Sequence, residues 1–200
     1  MARRRLDQYF TPEHATLTLL DRVPHIGGTI LEPCAGTGEM AWPLSRHGAD
    51  IWTNDIDEAL GGTDWQTDAT APGFWQVMGD PVLSPGFDWV ISNPPFSCCT
   101  PIIVGAFGVA RKGVAMLLRL SWLEPCKDRA AFLGKHPPSL IVLPRISFTG
   151  DGKTDNVTCA WFVWDFSGQY HGVSVATKDE VKRIKDAHSV SRNDARRVRN

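Results

Sequence analysis

The stretch that most limits what this chain can become is Phe87-Asp88-Trp89-Val90-Ile91 followed by Ser92-Asn93-Pro94-Pro95-Phe96. The apolar run predicts a buried strand, and the paired prolines stop it. Each proline fixes its own φ, and Pro94 disfavours the right-handed helical region at Asn93. The Asn93 amide and the Pro94 carbonyl are therefore held still at a strand end, and Phe96 presents a flat apolar face beside them. Acceptors for N–H groups next to an aromatic plane suit a planar amine. A strand entering a proline turn with a core phenylalanine would carry the same residues, so this stretch alone does not decide between the two.

The residues ahead of it read as alternating helix and strand. Thr11 followed by Pro12 is an N-cap with proline at the first helical position. Ala15, Leu19, Leu20 and Val23 then share a helical face, Pro24 ends the pattern and Gly27-Gly28 makes the turn. Tyr9 and Phe10 either pack or sit where an anion would bind at the helix start. Residues 29–32 form a short strand that runs into Pro33-Cys34-Ala35-Gly36-Thr37-Gly38-Glu39-Met40. Gly36 and Gly38 let the backbone approach a ligand, and the following helix offers unpaired N–H groups, with Met40, Ala41 and Leu44 inward and His47-Gly48 closing it. A plain strand–turn–helix corner would look the same. A second strand, 49–53, ends in Asn54-Asp55-Ile56-Asp57. An acid at that tip commonly holds a ribose diol, and the alternative is a turn aspartate capping the next segment. Glu32, Gly36, Gly38 and Asp55 at these spacings are far more specific together than singly. Residues 57–85 are weakly periodic. Within them Asp68 either contacts an amino group of a purine or caps a turn, and Trp65, Phe74 and Trp75 read as core.

Beyond the proline corner come a helix near 102–110, a buried strand at 113–120, helical residues at 128–133 and a strand at 139–143 stopped by Pro144. The polar loop 149–156 follows, and then a nearly continuous apolar strand at 157–166 whose two faces should both be covered by helices. Thr177-Lys178-Asp179-Glu180 is a capping box opening a short surface helix that frays into a basic tail from about Ser189. The division that follows is a main domain at 1–176 and a helix with tail at 177–200.

Composition narrows the class. Two hundred residues with a net charge of −1 fit one globular domain, and no global basic field announces nucleic acid. The charge is unevenly placed: Arg3, Arg4 and Arg5 open the chain, and Arg192, Arg196, Arg197 and Arg199 close it. Basic ends either touch phosphate or are simply solvated. The five cysteines form no CxxC pair or ligand-spaced cluster, and the six histidines show no HxxxH pairing, so we expect a reduced, cytoplasmic protein without bound metal. The N-terminal stretch lacks the apolar segment of a secretion signal, and no run is long enough to span a bilayer, so no membrane association is expected.

Strand–helix alternation argues for an α/β doubly wound sheet with helices on both faces, and every residue singled out lies at the C-terminal end of a strand. Glu32-x-x-x-Gly36-x-Gly38 followed by Asn93-Pro94-Pro95-Phe96 resembles the S-adenosylmethionine-dependent DNA N6-adenine methyltransferases in which the glycine loop precedes the Asn-Pro-Pro-Phe motif. Order and spacing match over roughly residues 8–165, and Tyr9-Phe10-Thr11-Pro12 is also similar to that family. The resemblance implies a class I, Rossmann-like methyltransferase fold, a mostly parallel sheet of seven strands with the last one antiparallel. Residues 139–143 and 157–166 would be the hairpin that ends it. It further implies S-adenosylmethionine as cofactor. Thr11 and the Gly36–Gly38 loop would hold its methionine end, with Glu32 near its amino group. Asp55 would take the ribose hydroxyls, Asp68 the adenine N6 and Ala69 the ring side, with Tyr9, Pro33 and Ile56 completing the set. Asn93, Pro94, Pro95 and Phe96 would carry catalysis on adenine N6 in DNA; the sequence leaves open whether that serves restriction-modification, phage self-protection or regulation.

One departure stands out. Many relatives carry a large target-recognition domain for which this sequence leaves no room, so sequence specificity is expected to be short or loose, or to come from loops or a partner. Related motifs also act on RNA adenine, cytosine N4 and protein glutamine. A non-catalytic nucleotide-binding module is the alternative from another class. Only one helix precedes Thr29, which counts against a glutamine methyltransferase, and the intact motifs count against a decayed site.

Overall fold

The computed structural model describes residues 11–126, 128–145 and 157–197. One sheet of seven strands organises them: β1 (Thr29–Glu32), β2 (Asp50–Thr53), β3 (Phe87–Ser92), β4 (Ala110–Arg119), β5 (Ser139–Val142), β6 (Cys159–Asp165) and β7 (Val173–Val175). Their spatial order is β2-β1-β3-β4-β6-β5-β7. β1 pairs in parallel with both β2 and β3, and β3 with β4. β6 runs antiparallel to its two neighbours, β4 and β5, and β7 returns parallel to β5. The sheet is thus mostly parallel and doubly wound, as expected. The antiparallel strand, however, is the sixth in chain order, inserted between β4 and β5. The seventh is a short parallel edge. β7 left little trace in the sequence because its three residues, between Gly172 and Ala176, expose both Val173 and Val175.

Pleating sorts the apolar residues onto two faces. Along β4, Ala115 and Leu117 join one cluster and Val114, Met116 and Leu118 the other. The first cluster is covered by α1 (Glu13–Arg22), α2 (Ala41–Arg46) and the start of α6 (Lys178–Arg197), through Leu19, Leu44 and Val181. The second is covered by α3 (Pro72–Gly79), α4 (Cys99–Val109) and α5 (Asp128–Lys135), through Phe74, Met78, Ile102 and the partly buried Phe132. Burial on both faces explains why β3, β4 and β6 read as continuous apolar runs. The Trp161 indole N–H, deep in the sheet, donates to the Ala15 carbonyl at 2.8 Å and ties α1 to β6.

Three local expectations change. Pro12, not Thr11, occupies the N-cap of α1. Thr11 is buried, no side chain caps the helix, and the Ala15 N–H donates to the Pro12 carbonyl at 2.8 Å. The weakly periodic segment contains α3, whose only buried residues, Phe74 and Met78, are a single i, i+4 pair. That is too short a stripe to register as helical periodicity. Finally, α6 does not fray at Ser189 but continues to Arg197. Its first turn is well anchored: Thr177 and Glu180 exchange the capping-box hydrogen bonds, and Glu180 pairs with Arg22 at 2.8 Å.

Candidate functional site

Because β1 to β4 are parallel, their C-terminal ends share one edge of the sheet. The loop after β1 is shaped by Gly36 and Gly38, at φ +58° and +82°, in the left-handed region that other L-residues resist. Open space surrounds the position a Cβ would take at either residue, so it is the backbone turn that demands glycine. The turn is braced from the tip of β2. The Ala35 N–H donates to the Asn54 carbonyl at 2.9 Å, and the Gly36 N–H donates to Asp55 Oδ2 at 2.7 Å. Asp55 Oδ1 accepts from the Asp57 N–H at 2.9 Å. Asp55 is 8% exposed, so it stands beneath the glycine loop with both oxygens already accepting backbone hydrogens.

Asn54 is a functional candidate that sequence reasoning passed over in favour of its neighbour. Its side chain is fully buried and satisfied on both atoms. Nδ2 donates to the Pro33 and Thr67 carbonyls, each at 2.9 Å, and Oδ1 accepts from the Thr67 N–H at 3.0 Å. Asn54 therefore holds the start of the glycine loop against the segment that leads to Asp68 and Ala69. The one available signal was an amide at a strand tip, where Asn commonly bonds to backbone.

Glu32, the last residue of β1, is 1% exposed, and its Oε2 has no hydrogen-bond partner. Burial, followed by the nearby charges of Glu39 and Asp55, pushes its carboxyl well above the usual range. Glu39 in turn accepts from the Thr37 hydroxyl. Burial of the thiol likewise pushes Cys34 above the ordinary thiol range. Ile56 lies 51% exposed beside this corner, and Pro33 and Ala69 are buried. Asp68 is exposed, and its Oδ1 accepts from the Thr70 N–H and hydroxyl at 2.8 and 2.7 Å, the turn-capping arrangement. Trp65 and Trp75 pack against the core, as read from the sequence.

The proline corner follows β3 at the next strand end. Leu31 of β1 is in register with Val90 of β3, so Glu32 stands level with Ile91 and the corner begins two residues further along the same edge. Pro94 is buried and Asn93, Pro95 and Phe96 half-buried. The Pro95 carbonyl accepts from the Cys98 N–H at 3.1 Å, so the corner passes directly into α4. The Arg119 guanidinium, from the end of β4, lies over the Phe96 ring at 4.6 Å from its centroid. Sequence reasoning missed this arginine, although a cation closing an apolar strand is a visible signal. Tyr9, Arg3 to Arg5, the Lys153 loop and Arg199 lie outside the described residues, as do the side chains of Arg192, Arg196 and Arg197. Among the described residues no His, Cys, Asp and Glu group could hold a metal, and no helix is long and apolar enough to cross a membrane.

No protein-family model matches the chain. Over 105 residues it is 27% identical to a Pyrobaculum aerophilum protein assigned as ribosomal RNA small subunit methyltransferase A, a match covering 52% of this chain and 45% of the relative. The chain thus spans less than half of that curated relative. Among solved structures, it resembles a Pyrococcus horikoshii protein described as a candidate RNA methyltransferase, with TM-score 0.55, 18% identity, and coverage of 80% of this chain and 87% of the other. A Listeria monocytogenes protein described as a candidate class I S-adenosylmethionine-dependent methyltransferase gives TM-score 0.58 at 14% identity, over 92% of this chain and 72% of the other. The M protein of the type I restriction enzyme EcoKI gives TM-score 0.60 at 12% identity, over 80% and 44%. The fold is that of the class I methyltransferases.

Proposed function

We propose that the protein is an S-adenosylmethionine-dependent methyltransferase acting on the exocyclic N6 of adenine in DNA. The observation that carries this reading is the adjacency of two unlike corners on paired strands. One is a glycine loop over a buried, partnerless glutamate oxygen, and the other an Asn-Pro-Pro-Phe turn with a half-buried aromatic ring. The residues present fit the cofactor. The orphaned Glu32 oxygen calls for a cationic donor such as an amino acid's ammonium, which would also favour the ionised carboxylate. Gly36 and Gly38 keep backbone and side-chain bulk away, and Ile56 offers an exposed apolar surface for a purine. Asp55 braces the loop, and Asp57, half-buried two residues on, stands beside it as a further acceptor for ribose hydroxyls.

Glu32 and the Gly36–Gly38 loop would hold S-adenosylmethionine, which when bound would supply a sulfonium methyl: an N–C bond to the amine would form as the S–C bond breaks, leaving S-adenosylhomocysteine, and the amine's surplus proton would pass to water. The chain's own part is orientation. The Asn93 side-chain oxygen and the Pro94 carbonyl accept the amine's hydrogens, drawing the nitrogen lone pair out of conjugation with the ring. The two prolines hold those acceptors without reorganisation, and Phe96 stacks on the base. A base in a duplex must first leave the stack, which costs a few kcal/mol. All five cysteines are thiols, consistent with the reducing, cytoplasmic setting in which such a substrate is found.

The EcoKI M protein supports DNA as substrate, while the Pyrobaculum and Pyrococcus relatives, named for RNA, favour RNA as the second reading. Methyl transfer from labelled cofactor to DNA, RNA and protein in parallel tests the proposal. We expect label in DNA; label in RNA alone would favour the second reading, and label in protein alone would overturn both.

A further inference from the structure

We infer that Arg119 binds the phosphodiester of the target nucleotide, forming with Phe96 a two-part clamp for backbone and base. The inference rests on the DNA reading and extends it to a residue that no motif assigns. Its basis is the state of the guanidinium. Ser92 of β3 is in register with Met116 of β4, so β4 runs three residues further, and Arg119 ends level with the corner that follows Ser92. There the guanidinium covers Phe96 at 4.6 Å. Its Nε is buried without a hydrogen-bond partner, and no carboxylate pairs with it among the described residues.

A buried donor on a permanently charged group is costly to leave unsatisfied. Arg22 and Arg111 have acidic partners, Glu180 and Asp88, although the Arg22 Nε is likewise without a hydrogen-bond partner. Arg119 instead has an aromatic plane, which orients the fork without consuming its in-plane donors. A planar fork with donors to spare, beside the ring meant for the base, matches the two free oxygens of a phosphodiester. A neutral side-chain amide as target would bring no such anion, so the same observation favours nucleic acid over protein.

The test is binding of the full chain, with S-adenosylhomocysteine present, to an adenine-containing DNA duplex across a salt series. Cofactor affinity and thermal unfolding are measured alongside, for wild type, Arg119→Met and Arg119→Lys. Arg119→Met should bind the duplex about tenfold more weakly and lower the slope of log affinity against log salt by roughly 0.9, the loss of one phosphate contact. Arg119→Lys should keep the slope and lose part of the affinity, because charge survives without the fork. Cofactor affinity should not move in either. Should Arg119→Met unfold, Arg119→Gln carries the same expectation. Wild-type affinity and slope in the charge-removing variant, with DNA still methylated, would overturn the role of Arg119 and leave the function intact. A wild-type protein that neither binds nor methylates DNA would instead remove the reading on which the inference rests.

Discussion

The two corners at the sheet edge are built on opposite principles. The glycine loop after β1 is soft in sequence and is made rigid by others. Asn54 and Asp55 at the tip of β2 hold it through side-chain and backbone hydrogen bonds, and a buried Glu32 stands behind it. The corner after β3 carries its own rigidity in Pro94 and Pro95, meets Arg119 over the Phe96 ring, and is tied to α4 through the Pro95 and Phe96 carbonyls. The first corner is acidic and rich in polar contacts; the second is aromatic and flanked by a cation. The difference teaches how one edge can serve two ligands of unlike chemistry: a zwitterionic cofactor meets carboxylate and backbone, while a planar base on an anionic strand meets ring and guanidinium.

That division is broken most severely at Asn93. Asn93→Ala should lower methyl transfer by on the order of 10²–10³, the cost of a lost preorganised hydrogen-bonding partner, with cofactor affinity nearly unchanged. Single-turnover rates beside calorimetric titration would separate the two effects. A parallel fall in cofactor affinity would mean that the corners are not independent.

Glu32 offers the reverse case. Glu32→Gln should weaken cofactor binding by about 1.5–3 kcal/mol, the scale of a hydrogen bond to a charged group. It should also change the pH dependence of the cofactor-free fold. Because the folded carboxyl sits above its ordinary range, the folded state holds more protons than the unfolded one. Its contribution to stability is therefore complete below the unfolded value and is lost as pH rises through the folded value. Glu32→Gln should match wild type in acid and melt a few degrees higher, about 2–4 °C per kcal/mol, at alkaline pH. Melting curves from pH 5 to 9 check this, and a variant less stable than wild type at high pH would contradict it.

The smallest effect sharpens the bracing. Asn54→Ala removes a partner from the Pro33 and Thr67 carbonyls and the Thr67 N–H, and should cost about 1–3 kcal/mol of stability. Cofactor affinity should fall with it, while transfer at saturating cofactor stays within a few-fold of wild type. Denaturant titration and saturation kinetics report the two separately.

The parallel half of the sheet and its two turns were legible because burial on both faces writes continuous apolar runs, and because glycine and proline mark the turns where they are obligatory. What stayed hidden was set by partners distant in sequence. Asp55 and Asn54 look alike on the page, yet only the fold shows that Asn54 spans Pro33 and Thr67, while Asp55 lies under Gly36. Arg119 takes its meaning from Phe96, on another strand end. The position of β6 between β4 and β5 depends on pairings that its own residues do not encode, and the full length of α6 escapes a polar sequence with a thin apolar stripe.

The most direct test of the account is the chemical identity of the product. Duplex DNA incubated with the protein and S-adenosylmethionine, digested to nucleosides and resolved by mass spectrometry, should contain N6-methyldeoxyadenosine, and it should vanish with Asn93→Ala. Methylation found instead on cytosine N4, or persisting at the wild-type level in the Asn93 variant, would contradict it.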